Sequence, residues 1–391
     1  MLAIRLAPGK ESRLQAGHPW IYRSEIARIE GTERPGAIGR ILDHRGKFLG
    51  QATVNPACQI VGRLLSRDEA PIDDAFFERR IRQALTRCGR SASGPDACRL
   101  VFGEGDHLPG LIVDRYGDLL VAQILTAGME RLRETILEVL RRVVAPRAIY
   151  ERSDSSSRRL EGLDLRKGFA WGTGETGVWV QEEGLAFFAD VAAGQKTGFF
   201  LDQRENRQVV RGLAKGREVL DCFCYSGGFA VSAAGGGAAS ALGIDLSEAS
   251  LAWARQSAER NGLAASCTFV SANAFDQLRA FAREERRFGL VVLDPPAFTK
   301  GRDALEGALR GYNEINLRAM KLLAPGGFLV TCSCSYHVDA PTFLEMLRSA
   351  ATDARREFRL VELRTQAGDH PILLAAKETQ YLKCAILEAV N

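Results

Sequence analysis

The stretch that decides the fold is REVLDCFCYSGGFAVSAAGGGAASALGID, residues 217–245. Arg217 to Cys224 is predicted to be a buried strand that ends at the turn Tyr225-Ser226-Gly227-Gly228. A helix of small residues then leads into a second predicted strand, which ends at Asp245. In a doubly wound sheet, such a turn lets a ligand approach bare backbone, and an acid on the next strand can accept hydrogen bonds from a ribose diol. The same pattern also fits any buried strand followed by a flexible turn, because a glycine pair alone is weak evidence.

The surroundings of this turn distinguish two kinds of nucleotide ligand. The turn lacks the GxGxxG spacing that holds a pyrophosphate at a helix N-terminus. S-adenosylmethionine (SAM) has no phosphate, and its sulfonium, amino acid head, ribose and adenine require carboxylates and apolar walls instead. Polar side chains fall near the ends of four successive predicted strands, where a parallel sheet binds its ligands: Asp221, Asp245, Asn273 and Asp294. The pattern therefore favours SAM over a dinucleotide.

Length and composition limit the class of protein. A chain of 391 residues is long enough for two or three domains, and 46% hydrophobic with 26% charged residues is typical of globular proteins. No apolar run approaches the roughly 18 residues of a membrane span. The N-terminus shows no charged segment followed by an apolar one, so no secretory signal is indicated. We therefore expect a cytoplasmic protein with no membrane partner, in which all nine cysteines remain reduced thiols.

Residues 1–70 are predicted to form a small β domain. Its apolar runs are short and are separated by Gly and Pro: 2–6, 38–42, 48–54 and 59–65. The domain has 11 Lys or Arg and 7 Asp or Glu, and this excess of +4 equals the net charge of the whole chain. His18 and Trp20 lie near Arg23, and aromatic and basic side chains together can bind single-stranded RNA. The alternative is that His18 and Trp20 are core and turn residues.

Residues 71–188 are predicted to form a central α+β subdomain. A helix begins at the acids after Pro71, which suit the positive end of its dipole, and runs to Arg87. The apolar pattern then predicts strands at 99–102, 111–114, 119–125, 148–152 and 185–190, with a helix around 132–140. The polar stretch 153–159 is predicted to be a mobile loop. The alternative is a loop that contacts phosphate through Arg158 and Arg159.

Residues 189–391 alternate between strands and helices, which indicates a parallel sheet. Ser247 is a predicted N-cap. The remaining predicted elements are helices at 204–214, 248–261 and 304–323 and strands at 267–270, 288–293 and 328–333. The fourth strand runs into Asp294-Pro295-Pro296-Ala297-Phe298, where two prolines force an extended loop. A turn is predicted at Pro325-Gly326-Gly327.

In combination, these motifs resemble a known family. The succession DCFCYSGGFA, GIDLS, ANAFD, LDPPAF and TCSCS, preceded by KTGFFLDQR and GHPWIY, resembles the bacterial large-subunit ribosomal RNA cytosine-5 methyltransferases of the RlmI type. The resemblance covers nearly the whole chain. It implies an α/β fold with a Rossmann-like class I methyltransferase sheet at 189–391, a PUA-like RNA-binding domain at 1–70 and the central subdomain at 71–188. It also implies SAM as cofactor and 23S ribosomal RNA as substrate and partner, and it is compatible with a homodimer.

The resemblance further implies roles for individual residues. Its cofactor-binding residues lie at the strand ends and in the segment before the first of these strands: Asp221, Phe223, Gly227, Asp245, Leu246, Asn273, Ala274, Asp294, Lys196, Thr197 and Gln203. Among them, Asp245 would hold the ribose, and Asn273 and Ala274 would lie at the adenine. The implied catalytic residues are Cys334, at the attacking position, and Asp294, on the side of the methionine and the target base. RNA contacts are expected at His18, Trp20 and Arg23, and no metal site is expected.

The chemistry of cytosine methylation explains why a cysteine is needed. Carbon 5 is a poor nucleophile until a thiolate adds to carbon 6, and a thiol with a pKa of about 8.5 requires local help to ionise. Cys332 and Cys334 point to the same face of their predicted strand, so alternation cannot choose between them. Cys334 is predicted to be the nucleophile because it lies further towards the carboxyl end, where a parallel sheet gathers its catalytic groups.

Other functions stay open at the level of sequence. The Asp-Pro-Pro loop is typical of enzymes that methylate an exocyclic amine or a ring nitrogen, in which case the cysteines would only pack the sheet. A metal site built from the two CxC pairs is a third hypothesis, although neighbouring strands give poor tetrahedral geometry. A non-catalytic RNA-binding protein is a fourth, which the retained acids and cysteine disfavour. Related enzymes often have a second cysteine after the first loop proline, but this chain has Pro296-Ala297 there.

Overall fold

A computed structural model of the chain describes residues 2–32, 34–88, 96–298 and 305–390. Two compact units are present: residues 1–178, 190–201 and 368–379 form the first, and residues 179–189, 202–367 and 380–391 form the second. The predicted three-part division at residues 70 and 188 stays a prediction. In the described part of the chain, every helix is too short or too polar to cross a membrane.

The first unit begins with a six-stranded sheet. Its strands are β1 (Ala3–Leu6), β2 (Trp20–Tyr22), β3 (Ile26–Glu30), β4 (Ala37–Leu42), β5 (Phe48–Val54) and β6 (Ile60–Ser66). They lie in the order β2-β6-β5-β4-β1-β3, and only the β1 and β4 pair is parallel. The predicted apolar runs correspond to β1, β4, β5 and β6. The short strands β2 and β3 were not predicted, because they carry little alternation of apolar and polar residues.

A five-stranded sheet completes the first unit. Its strands are β7 (Ala97–Phe102), β8 (Leu111–Tyr116), β9 (Leu119–Ile124), β10 (Ala148–Ser153) and β11 (Arg166–Trp171). The helices of the unit are α1 (Ser12–Gln15), α2 (Asp74–Cys88), α3 (Ala127–Arg131), α4 (Arg133–Val144) and α5 (Ser157–Leu160). Apolar side chains from α2 and α4 pack against this sheet in one core, as the predicted α+β pattern requires. Strand β11 was not predicted.

The prediction for the polar stretch 153–159 is wrong. Ser153 ends β10, and α5 begins at Ser157. Arg158 is only 1% exposed, and its guanidinium donates to the carbonyl oxygens of Asp164 and Ile124 and to the carboxylate of Glu130. The Arg158 guanidinium is therefore bonded within the unit, and of the two arginines only Arg159 is exposed.

The prediction that all nine cysteines are free thiols is also wrong. Cys88, at the end of α2, and Cys98, in β7, form a disulfide with their Cα atoms 6.0 Å apart. The other seven cysteines form no disulfide. The expectation failed because it rested on the redox state of the cytosol, whereas proximity of the two thiols depends on how α2 packs on β7.

The second unit is built on a seven-stranded sheet. After a small hairpin, β12 (Gly177–Glu182) and β13 (Leu185–Asp190), its strands are β14 (Glu218–Cys222), β15 (Ser240–Asp245), β16 (Cys267–Ser271), β17 (Phe288–Leu293), β18 (Leu323–Ser333), β19 (Phe358–Arg364) and β20 (Lys383–Ala389). The helices are α6 (Arg204–Leu213), α7 (Gly228–Gly235), α8 (Glu248–Arg260), α9 (Ala274–Arg283), α10 (Leu305–Leu322) and α11 (Ala340–Ala354). Residue 304, the predicted start of α10, lies outside the described residues.

The strand order β16-β15-β14-β17-β18-β20-β19 positions the site. Strands β14 to β18 are parallel, so their carboxyl ends share one edge of the sheet. Apolar residues of β14, β17 and β18 form a core with α9, α10 and α11. The order reverses at β14, and a crevice for a ligand is expected at such a switch point.

Two features of this sheet differ from the prediction. The predicted turn at 325–327 is a bulge inside β18, where the register with β17 slips between Leu323 and Phe328. Strand β20 runs antiparallel to β18 and brings the last residues of the chain beside it. No element after residue 333 was predicted, because the alternating pattern that marks the earlier strands is weak there.

Candidate active site

The turn after β14 exposes backbone in an unusual conformation. Phe223, Tyr225 and Gly227 have φ angles of 65°, 49° and 77°. A side chain at Gly227 would also place its Cβ 2.7 Å from the Cβ of Ala254, so this position requires glycine. Non-glycine residues at positive φ cost about 1–3 kcal/mol each and cluster at ligand sites. The turn and the start of α7 therefore form a cradle of bare backbone.

Asp245 ties this cradle to the end of β15. One carboxylate oxygen accepts the Tyr225 N–H at 2.9 Å, and the other accepts the Ser247 N–H at 2.9 Å. Ser247 in turn caps α8 by accepting the Ser250 N–H, as predicted. Each carboxylate oxygen has a further lone pair. The side chain is thus held in place with acceptor capacity left for a diol.

Asp221 lies at the bottom of the crevice and is fully buried. Its Oδ2 accepts the Ala230 N–H at 2.9 Å, whereas its Oδ1 has no hydrogen-bond partner among the described residues. Burial raises the pKa of the Asp221 carboxyl well above its usual value. The Ala230 N–H opposes this, but the negative charges of Asp294 and Asp245 raise the pKa further. The three acids therefore form one electronegative cluster.

This cluster fits SAM. The cofactor carries a sulfonium and an ammonium, and both positive charges would be stabilised by the acids. The buried Oδ1 of Asp221 offers an acceptor for a charged donor, and the backbone at Gly227 leaves room for a ligand to approach. Asp221, Asp245 and the Gly227 turn are thus the residues that would hold the cofactor.

The predicted adenine contacts begin α9. Asn273 caps this helix, because its Oδ1 accepts the N–H groups of Phe275 and Asp276. Ala274 is buried, and Leu246 is 70% exposed. The oxygen of Asn273 therefore has a structural role, and only its amide N–H groups are left to meet a base. The cofactor contacts of these three residues stay predictions.

The two cysteines of β18 have different surroundings. Cys332 is fully buried and lies opposite Cys384 in the register of β18 and β20. A hydrogen bond with the Cys384 thiol and burial raise the pKa of Cys332 well above its usual value; the charge of Asp294 adds to this, and a hydrogen bond with Gln203 opposes it. Cys334 follows the last residue of the strand and is partly exposed. A reactive thiol needs access and help to ionise, which disfavours Cys332.

The segment that carries Cys334 is fixed by contacts on both sides. The Ser335 N–H donates to Ser333 Oγ, and the Ser335 hydroxyl lies 2.9 Å from the hydroxyl of Tyr312. The Ser335 carbonyl accepts a hydrogen bond from Lys383 Nζ at 2.8 Å. Sequence reasoning missed both Tyr312 and Lys383. The signal for Lys383 was a lysine inside the apolar run LKCAIL, residues 382–387.

Aromatic side chains line another part of this edge. The ring of Phe298, at the end of the Pro-Pro loop, lies 4.6 Å from Tyr312 and 6.0 Å from Phe275 between ring centroids. Phe275 also lies 6.3 Å from Phe223. Rings at these distances attract one another and offer apolar surface. The negative charge of Asp294, at the start of the loop, raises the pKa of Asp221 and of Cys332. The predicted catalytic acid therefore belongs to the same cluster of acids as Asp221 and Asp245.

The segment before β14 is divided between the units. Gln203 belongs to the second unit, where it contacts Cys332 and accepts a hydrogen bond from Asn206. Lys196 and Thr197 belong to the first. The Thr197 hydroxyl is buried between Asp114 and Tyr116, and the Lys196 ammonium lies 4.4 Å from the centre of the Phe200 ring. Thr197 therefore has a structural role, and a role of either residue in cofactor binding stays a prediction.

The predicted RNA-binding residues have partners within the first unit. His18 is buried, and its ring nitrogens contact Glu378 and the Trp20 N–H. The Trp20 indole N–H donates to Glu104 at 2.8 Å, and Arg23 donates to the carbonyls of residues 56 and 58. The alternative of a structural role thus has support, and the RNA contacts stay predictions. Within the described ranges, no group of three or more His, Cys, Asp or Glu side chains could hold a metal ion.

The fold and the site define a class of protein, the SAM-dependent methyltransferases. A family model described as S-adenosylmethionine-dependent methyltransferase matches residues 111–375, and a PUA-like domain model matches residues 4–67. The chain is 42% identical over 383 residues to the ribosomal RNA large subunit methyltransferase I of Erwinia tasmaniensis, with 97% of each chain covered. It is also 42% identical over 393 residues to the protein of that name from Aeromonas hydrophila, with 99% of each covered. The chain belongs to the ribosomal RNA large subunit methyltransferase I family.

Solved structures agree on the fold. A chain from Streptococcus mutans, described as a SAM-dependent methyltransferase, has a TM-score of 0.84 at 20% identity, with 99% of this chain and 100% of that chain covered. A structure of the methyltransferase SMU.776 complexed with S-adenosylhomocysteine (SAH) gives the same values. The predicted α/β fold, the PUA-like domain, the family resemblance and the SAM cofactor are confirmed.

Proposed function

We propose that this protein transfers a methyl group from SAM to carbon 5 of a cytosine in 23S ribosomal RNA through a covalent adduct with Cys334. The names of its relatives support ribosomal RNA as the substrate. The observation that carries the chemistry is the partly exposed Cys334 at the carboxyl edge of β18, next to the strand that leads into Asp294 of the acid cluster.

Within this proposal, the cysteine makes carbon 5 nucleophilic. The Cys334 thiolate adds to carbon 6, an S–C6 bond forms, the electron pair of the C5=C6 bond moves towards carbon 5, and N3 takes a proton. SAM, when bound, supplies an electrophilic methyl group on its sulfonium. Carbon 5 bonds to this methyl group as the S–CH3 bond breaks and leaves its electron pair on the sulfur of SAH, and a base then removes the C5 proton. The electron pair left behind expels the Cys334 thiolate and restores the double bond, and N3 loses its proton.

The acids divide into two roles in the proposed reaction. Asp221 and Asp245 hold the cofactor, because their carboxylates are fixed by backbone N–H groups at the cradle. Asp294 begins an extended loop, and its negative charge raises the pKa of both Asp221 and Cys332. Its influence on a cofactor acid and on a cysteine of β18 supports its assignment to the side of the methionine and the target base. The negative cluster also favours a cationic ligand over a neutral one.

The alternative function is methylation of an exocyclic amine or a ring nitrogen of RNA. The Asp-Pro-Pro loop favours it, because such loops place a carboxylate near the acceptor nitrogen and an aromatic ring against the base. Here the ring is Phe298, which packs on Tyr312 and Phe275. This reaction needs no cysteine, so the two proposals differ in their dependence on Cys334.

The test compares Cys334→Ala with the matched variant Cys332→Ala. We expect Cys334→Ala to lose methyl transfer by roughly a thousandfold or more, as for removal of a covalent nucleophile, while SAH binding is retained. RNA containing 5-fluorocytidine should trap a covalent complex in the wild type and in Cys332→Ala only. Mass spectrometry of digested RNA identifies the methylated nucleoside. An active Cys334→Ala variant, an adduct at Cys332, or a product methylated on nitrogen would contradict the proposal.

A second part of the proposal concerns RNA docking in the cytoplasm. The PUA-like domain and the positive charge excess of residues 1–70 support contact of this region with ribosomal RNA. The side chains assigned to that contact are His18, Trp20 and Arg23. His18 is buried and the polar groups of Trp20 and Arg23 have partners within the unit, so the partly exposed indole face of Trp20 is the surface that would meet a base.

A further inference from the structure

We propose that Lys383 is a positioning residue that ionises Cys334, because its buried ammonium has the thiolate as its anionic partner. The role of Cys334 in catalysis rests on the proposed function, whereas the pairing of the two side chains does not. Neither the family descriptions nor the sequence motifs assign any role to Lys383.

Lys383 lies beside the segment that carries Cys334. It is the first residue of β20, and the antiparallel register places it opposite Ser333, the last residue of β18. Its Nζ donates to the carbonyl of Ser335 at 2.8 Å and to the carbonyl of Tyr381 at 2.9 Å. The first of these bonds, with the Ser335 N–H bond to Ser333, holds the chain immediately before and after Cys334.

The ammonium lacks a carboxylate partner. Lys383 is only 5% exposed, both of its acceptors are neutral carbonyls, and among the described residues it forms no ion pair. A lysine ammonium has three N–H donors, so one remains after these two bonds. A buried ammonium whose only partners are neutral carbonyl groups is energetically unfavourable, and an adjacent anion would reduce this desolvation cost. A thiolate at Cys334 would be such an anion.

The electrostatics agree with this geometry. Burial lowers the pKa of Lys383 to about 8, and the charges of Cys334 and Asp339 act in the opposite direction. At neutral pH the amine is therefore mostly protonated. An opposite charge within about 4–6 Å shifts a pKa by about 1–3 units towards the charged form. The thiol of Cys334 then loses its proton to solvent at a lower pH, and Lys383 keeps its own proton.

Several other groups could influence a pH measurement. The titratable or charged groups near Lys383 and Cys334 include Cys334 after β18, Cys332 on β18, Cys384 on β20, Asp339 before α11, Tyr312 on α10, Tyr381 before β20 and Arg364 at the end of β19. Replacing Lys383 leaves all of them in place. A change in the titration of Cys334 can therefore be assigned to the lysine.

The experiment measures the pH dependence of alkylation of Cys334 by iodoacetamide, in which the thiolate displaces iodide. The full-length protein is labelled at pH values from about 6 to 10, and the peptide containing Cys334 is quantified by mass spectrometry, because six other cysteines are free. The variants are Lys383→Met, which removes the charge, and Lys383→Arg, which retains it. Lys321→Met, at an exposed position on α10, is the matched control.

We expect Lys383→Met to raise the midpoint of alkylation by about one pH unit or more, and Lys383→Arg and Lys321→Met to leave it nearly unchanged. An unchanged midpoint in Lys383→Met would overturn the proposal, as would a wild-type midpoint at or above the ordinary thiol value of about 8.5. The wild-type measurement decides the question even where Lys383→Met fails to fold. If Cys334→Ala retains methyl transfer, the proposed function fails, but the alkylation result still decides the pairing.

Discussion

Replacing Asp221 by Asn should stabilise the free protein and weaken cofactor binding at the same time. The Asp221 carboxylate is fully buried, and one of its oxygens has no hydrogen-bond partner in the described structure. The negative charges of Asp294 and Asp245 repel it. Burial and these neighbours raise the pKa of the carboxyl in the folded state. Asn has nearly the same shape and can accept the Ala230 N–H, but it carries no charge. The substitution therefore removes the repulsion that SAM relieves when it binds.

The sign of the pH dependence follows from the raised pKa. Between the unfolded value of about 3.9 and the folded value, the folded state binds more protons than the unfolded state. The free energy of unfolding therefore decreases as pH rises through this window, and the full penalty is present above the folded pKa. Each unit of elevation corresponds to about 1.4 kcal/mol. Since an unsatisfied buried polar group costs about 1–3 kcal/mol, we expect Asp221→Asn to gain stability of this order at pH 8.

Two measurements on the same variant test this reasoning. Thermal unfolding at a series of pH values should show a melting temperature several degrees higher for Asp221→Asn at pH 8, since 1 kcal/mol corresponds to about 2–4 °C for a unit of this size. The difference should shrink as the pH falls. Calorimetric titration with SAH should show roughly 10- to 150-fold weaker binding, the loss expected for a charged hydrogen bond of about 1.5–3 kcal/mol.

Asp353→Asn, at an exposed position on α11, is the matched control and should change neither quantity. The reasoning is refuted if Asp221→Asn is less stable than the wild type at pH 8, or if the stability difference does not depend on pH. Unchanged SAH affinity together with higher stability would show that Asp221 does not contact the cofactor.

Two further predictions concern the ribose contact and the N-terminal domain. Asp245→Ala should weaken SAH binding by about 1–3 kcal/mol, because it removes the acceptors for the ribose and the hydrogen bonds to the Tyr225 and Ser247 N–H groups. Unchanged SAH affinity in a calorimetric titration would exclude the assigned role. Trp20→Phe retains an aromatic face but loses the indole bond to Glu104, so it should lower thermal stability and retain RNA affinity. Trp20→Ala should also weaken RNA binding by about 1–3 kcal/mol, the contribution of one stacked base. Equal RNA affinity of the two Trp20 variants in fluorescence anisotropy would exclude stacking.

Much of the candidate site could be predicted because its signals are local. Asp221 and Asp245 each lie at the end of an apolar run, so their position at one edge of a parallel sheet follows from the order of strands and helices. Ser247 and Gly227 were likewise marked by short patterns, a cap and a turn. The preference for Cys334 over Cys332 came from position along one strand, and the burial of Cys332 agrees with it.

The predictions that failed depended on contacts between distant residues. The sequence shows three serines and two arginines at 155–159, which is typical of a solvated loop, yet Arg158 is buried because carbonyls from β9 and from residue 164 surround it. The Cys88 and Cys98 thiols meet only because α2 packs beside β7. The contacts of Thr197 were likewise not visible in the sequence: its hydroxyl lies between Asp114 and Tyr116 of β8, and its predicted role at the cofactor stays a prediction.

The sequence by itself therefore determined the class of fold, the cofactor and the acids at the carboxyl edge of the sheet, because alternation of apolar residues, turn glycines and strand-end acids act over a few residues at a time. The tertiary structure decided which polar groups are buried and what they face. Lys383 is the clearest case: in the sequence it is one lysine in an apolar strand, and it reaches the Cys334 segment because β20 returns antiparallel to β18. Pairing between distant strands and the burial of a charge are properties of the packed sheet, and local patterns do not encode them.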